Sequence, residues 1–101
     1  MNPKMYVLVR KDLSTIYRLV QGAHALAKYS LEYSNLFKVW NNGTIVFLSV
    51  PNLAALKQWL FKLKIQGKIF SIYKELDLDY QETAIACYDL GNIFKELPLA
   101  E

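Results

Sequence analysis

Two short runs, MYVLVRK (Met5 to Lys11) and TIVFLSV (Thr44 to Val50), constrain the fold more than any other feature, because both are apolar at nearly every position rather than at alternate ones. A strand of that kind needs cover on both faces, the condition of a strand inside an α/β sheet. The stretch between them reads as a helix. Asp12, Ser14 and Thr15 offer N-cap oxygens, and helical spacing continues to about Tyr33. After the second strand, Pro51 and Asn52 open another helix in which Leu53, Leu56, Leu60 and Leu63 recur at three- and four-residue spacing, and Gly67 ends it. KIFSIYKE predicts a third strand, LDLDYQ a polar loop and ETAIACYDL a fourth strand.

The predicted order is therefore βαβαββ, with two strand-helix-strand crossovers that join neighbouring parallel strands. The expectation is one three-layer α/β/α domain over residues 1–101, around a four-stranded, mostly parallel mixed sheet. At 101 residues, 53% hydrophobic and 21% charged, the chain has the material for one packed core. No window approaches the ~18 consecutive apolar residues of a membrane span, and the opening residues read as a strand rather than a cleavable leader. A soluble cytoplasmic protein is expected. The single Cys87 excludes an internal disulfide and a cysteine zinc cluster, and its apolar run predicts a buried thiol.

The net charge of +3 is unevenly spread. Residues 1–74 hold eleven Lys and Arg against Asp12 and Glu32, giving +9, while residues 75–101 hold seven acids against Lys95, giving −6. The first part could attract a polyanion. Several of its cations, Lys57, Lys62, Lys64 and Lys68, fall on the second helix and the turn after it, where solvated lysines are usual.

At about 100° per residue, Ile16, Leu19, Val20, Ala23, Leu26, Ala27 and Ser30 form one broad face of the first helix, which is expected to pack on the sheet. Tyr17, Gln21, His24 and Lys28 form a second stripe beside it. His24, the only histidine, sits at the border and is expected to make a hydrogen bond at the edge of the core.

VLVRKDL followed by VQGAHALAKY resembles the opening of the type 2 peptidyl-tRNA hydrolase family, in which a strand ending in Arg-x-Asp-Leu leads to a helix carrying Gln-x-x-His-Ala. Arg10, Asp12, Leu13, Gln21, His24 and Ala25 match. ETAIACYDL is similar to that family's last strand, and the ending LPLAE resembles its short bacterial and phage relatives.

The resemblance implies hydrolysis of the ester of peptidyl-tRNA or a blocked aminoacyl-tRNA, with no cofactor and no metal. It also implies tRNA as a partner, no membrane association and a homodimer. In the family a lysine four residues before the glutamine, an acid after the third strand and threonines near the fourth are associated with the active site. Carried over, the acid is Glu75 or else Asp77, and the threonine is Thr83. Tyr17 stands at the lysine position, and Lys11 is the substitute cation at the strand end. Arg10, Arg18, Gln21, His24 and Lys28 are the residues implied for substrate binding. The alternative is a catalytically inactive relative that binds RNA or a protein. A nucleotide-phosphate enzyme is disfavoured, because the turn RKDLST lacks the glycines that let backbone wrap phosphates. The surplus of large aromatics, Phe37, Trp40, Trp59 and Phe61, adds to the case for self-association.

Overall fold

In the computed structural model, which describes residues 2–100, the apolar runs form the predicted strands: β1 (Lys4–Arg10), β2 (Ile45–Val50), β3 (Phe70–Glu75) and β4 (Gln81–Asp89). Three helices accompany them: α1 (Thr15–Glu32), α2 (Ser34–Trp40) and α3 (Leu53–Ile65). The cap signals hold. The Ser14 side chain accepts from the Tyr17 N–H, Asn52 accepts from the Ala55 N–H, and Gly67 leaves α3 at φ +67°. α2 is additional to the predicted order. Tyr33 departs from helical backbone at φ −132°, ψ 56°, so the chain turns there and starts a second, short helix. Left-handed Asn41 and Asn42 then return it to β2.

The sheet runs β2-β1-β4-β3 and is mixed. β1 pairs parallel with β2, and β4 pairs antiparallel with both β1 and β3. β1, β2 and β3 thus run the same way, and what is corrected is the second crossover, expected above to join neighbouring strands. The first crossover does join neighbours, but the second carries the chain from one edge of the sheet to the other, and β4 returns between β1 and β3. The hairpin from β3 to β4 is short, which imposes the antiparallel sense. Residues 98–100 lie along the outer edge of β2, where the Ser49 N–H donates to the Pro98 carbonyl and the Ala100 N–H to that of Phe47 (3.0 and 2.9 Å). They cover part of an edge that would otherwise present unpaired backbone groups.

Pleating sends alternate residues of the central strands into two cores. Met5, Val7, Val9, Ala84 and Ala86 join Ala25, Tyr29 and Trp40 in one, while Leu8, Leu48, Val50, Ile85 and Cys87 join Leu56, Leu63 and Phe94 in the other. The leucine stripe of α3 is therefore the buried one. Burial pushes the Cys87 thiol up to about 12, as suits an inert core residue. Of the aromatics noted above, Trp40 is buried, Trp59 packs on Phe94 beneath Lys62, and Phe61 stays exposed.

The predicted face of α1 is also corrected. The helix buries Gln21, Gly22, Ala25 and Tyr29 and leaves Ile16, Leu19 and Val20 in solvent. Gly22 fixes this orientation, because a Cβ there would run into the Phe47 ring and touch Val7. Small residues let the helix axis approach β1 and β2, and bulky ones on the same side could not. Gly22→Val should therefore lower stability by about 2 to 3 kcal/mol through overpacking. Ala54→Val, at an exposed site on α3, should cost only about 0.6 kcal/mol of helix propensity. Urea unfolding midpoints of the two variants measure the difference.

Candidate functional site

The polar stripe of α1 runs along β3. Tyr17, Gln21, His24, Lys28 and Glu32 recur at helical spacing, and each meets a successive part of that strand. At the top, Gln21 is fully buried and joins two other elements. Its amide nitrogen donates to Glu75 Oε1 at 2.8 Å, and its amide oxygen accepts from the Thr83 hydroxyl at 2.6 Å. Further down, the His24 ring stacks on Tyr73 with centroids 4.5 Å apart and planes 10° from parallel. Lys28 Nζ donates to the Ile72 carbonyl at 2.8 Å, and Glu32 accepts from the Ser71 hydroxyl at 2.6 Å.

Glu75 closes β3. Its second oxygen accepts from the Asp77 backbone N–H at 3.3 Å. The Gln21 amide first and this backbone donor second hold its pKa below the ordinary 4.5, so it is ionised at neutral pH. Tyr17 stands beside the same carboxylate. Desolvation, and then the negative charges of Glu75 and Asp77, raise its pKa, so it keeps its proton. The result is a fixed anion flanked by a neutral phenol and an imidazole, at the end of the sheet where β1, β2 and β3 finish.

Thr83 is fully buried and spends its proton on Gln21, so it sets the position of the amide and does not face solvent. Arg10 is nearly buried as well. Its guanidinium takes Asp12 in a two-point grip (3.0 and 2.8 Å) and donates to Gln81 Oε1 and the Glu82 carbonyl, clamping the end of β1 to the start of β4. The same grip lowers the Asp12 pKa. Lys11 and Arg18 lie on the other side of the β1 end. They line a hollow of about 300 Å³ with Ser49, Pro98 and Leu99, and Arg18 Nε donates to the Leu13 carbonyl at 2.7 Å.

The residues expected to act together thus fall into two groups, with Tyr17, Gln21, His24, Glu75 and Thr83 in one and Lys11 with Arg18 in the other. His24 is exposed and stacked, where a hydrogen bond at the core edge was expected. Tyr73 and Gln81 belong to the site and escaped the sequence reading. Tyr73 had a usable signal, since it lies two residues before Glu75 on a strand. Gln81 had none, because a glutamine in a polar loop is ordinary. Among the described residues no group of three or more His, Cys, Asp or Glu could hold a metal ion.

No protein-family model matches the sequence, and no curated protein matches it. Among solved structures, a protein of unknown function from Agrobacterium tumefaciens is similar over 100% of this chain and 99% of its own, with a TM-score of 0.75 at 15% identity. That likeness shows a shared fold.

The Gln21 amide predicts a measurable coupling. In Gln21→Leu, the Glu75 titration followed by carboxyl NMR should move up toward 4.5, and stability should fall by about 1 kcal/mol as the buried Thr83 hydroxyl is left with only its longer bond to the Tyr73 carbonyl. Because the folded pKa of Glu75 is depressed, its contribution is present above about pH 4.5 and lost as pH falls through the folded value. Gln21→Leu should therefore also flatten the acid side of the stability profile.

Proposed function

We propose that this chain is a metal-independent ester hydrolase of the peptidyl-tRNA hydrolase type, acting on peptidyl- or blocked aminoacyl-tRNA in the cytoplasm. One observation carries the reading: the Thr83–Gln21–Glu75 chain fixes an ionised carboxylate beside Tyr17 and His24 at the strand ends. Glu75 orients a water on the ester carbonyl and takes its proton as the new carbon–oxygen bond forms. The protonated Tyr17 phenol donates to the oxyanion. The bond to the 3′ oxygen of the tRNA then breaks, and that oxygen recovers a proton. Gln21 and Thr83 hold Glu75 in place, and Lys11 and Arg18 contact phosphates of the 3′ end. The frame for this is a three-layer α/β/α sandwich, supported by the two cores on opposite faces of the sheet, and the working form is a homodimer.

A second reading has its own support. Both Glu75 oxygens already accept protein hydrogen bonds, which makes a weak base, and Tyr17 stands where the resembled family has lysine. Such a chain would bind acylated tRNA and leave it intact.

Acyl release from an N-acetylated aminoacyl-tRNA separates the two. The hydrolase reading expects release that survives chelator and falls at least ~100-fold in Glu75→Gln, the size of a lost general base. Binding without release passes the site to the second reading, and Tyr17→Lys should then restore turnover. In either case affinity should fall steeply with added salt, and Arg18→Glu should weaken it for all tRNAs alike. A salt-independent affinity would remove tRNA from both.

A further inference from the structure

The outward side of α1 carries no charge along its length. Ile16, Val20, Ala23, Ala27 and Leu31 follow one another within a narrow arc on the side opposite Gln21 and Ala25, with Leu19 beside them. Ile16, Leu19, Val20 and Leu31 are 77, 55, 44 and 84% exposed. Scattered apolar side chains on a surface mean little, but an uncharged stripe spanning a whole helix is a contact surface.

From this stripe we infer that two copies of the chain associate by packing α1 antiparallel against α1 about a two-fold axis at Ala23. This deepens the homodimer proposed above and rests on it. The stripe is complementary to itself. Its middle is small, at Ala23 and Ala27, and its ends are bulky, at Ile16 and Leu31, about 22 Å apart along the helix. An antiparallel pair sets Ile16 against the Leu31 end of the other helix and Val20 against Ala27, so large side chains flank a close approach of the two backbones.

The lack of charge suits the same occupant, because a two-fold axis brings like residues together and any charge on the axis would face itself. The area also fits. The four large side chains expose on the order of 500 Å², most of the ~800 Å² per partner of a standard interface, and alanines and rim residues supply the rest. The polar stripe, with Tyr17 and His24, runs along the adjacent flank of α1 beside the apolar one.

Sedimentation and oxidative crosslinking test this geometry. Wild type at about 0.1 mM, well above a micromolar dissociation constant, should sediment as a dimer. Val20→Glu, at a site exposed in the single chain, should sediment as a monomer with an unchanged circular dichroism spectrum. Ala23→Cys should form an intermolecular disulfide on mild oxidation. Ala27→Cys should not, because two copies of that position lie about 12 Å apart along antiparallel helices, beyond the ~7 Å reach of a disulfide. Cys87 is buried and stays silent in both. A monomeric wild type overturns this pairing together with the homodimer. A dimer that survives Val20→Glu, or in which Ala23→Cys fails to crosslink, overturns the pairing alone.

Discussion

The buried amide of Gln21 decides how α1 lies on the sheet, and most other features of the molecule follow from that. A primary amide in a core must satisfy both its ends, and this one does so with a hydroxyl from β4 and a carboxylate from β3. Lys28 and Glu32 extend the same attachment along β3. With these contacts made, the helix passes so close to β1 and β2 at Gly22 that Val7 and Phe47 leave no room there for a side chain. At Gly22 and Ala25 the helix supplies small residues where the strands supply bulk, and further along Tyr29 fills the same core.

This is why the apolar periodicity of α1 misleads. A hydrophobic stripe of Ile16, Leu19 and Val20 gains about 1.5 to 3 kcal/mol per buried side chain, which favours packing it inward. Turning it inward would bury large side chains against large ones and strand Gln21, Thr83 and Glu75 without partners, at a cost of about 1 to 3 kcal/mol for each buried group left unsatisfied. Periodicity weighs apolar residues and has no means of weighing a glycine or a glutamine whose partner lies far along the chain. On α3 no such conflict exists. Its leucines face Leu8 and Ile85, and the sequence reading agrees with the buried face.

Strand order shows a similar split. The existence of all four strands was legible, because β-branched runs between turn residues have few other outcomes. Their arrangement depended on reading β4 as a central strand, and the signal was present in Thr83 to Cys87, five consecutive buried residues. A strand covered on both faces belongs in the middle of a sheet. Placing ETAIACYDL last in the chain invites placing it at the edge, and the crossover rule for parallel strands then suggests a neighbour for β3 that the hairpin makes unnecessary. α2 was illegible for another reason: seven residues rich in aromatic and branched side chains have little helix propensity, and its helix is held by Trp40 and its contacts in the core.

Charge is where the sequence and the fold diverge with most consequence for function. Along the chain the cations and the acids occupy separate segments, and the fold joins them where Asp89, at the end of β4, meets Lys68. Lys68 pairs with Asp89 at 2.9 Å, Arg10 is enclosed by Asp12, Gln81 and Glu82, and Lys28 is bound to a carbonyl of β3. Asp12 is already counted in the +9 of residues 1–74, so the Lys68–Asp89 pair takes one charge from it, while Lys28 keeps its charge and commits its donor to β3. The lysines exposed on α3 are one source of positive charge, and Lys11 and Arg18 beside the hollow at the β1 end are another. Only the second lies at the strand ends, within the same region as Glu75. The cationic side chains at that end of the sheet are therefore few and local.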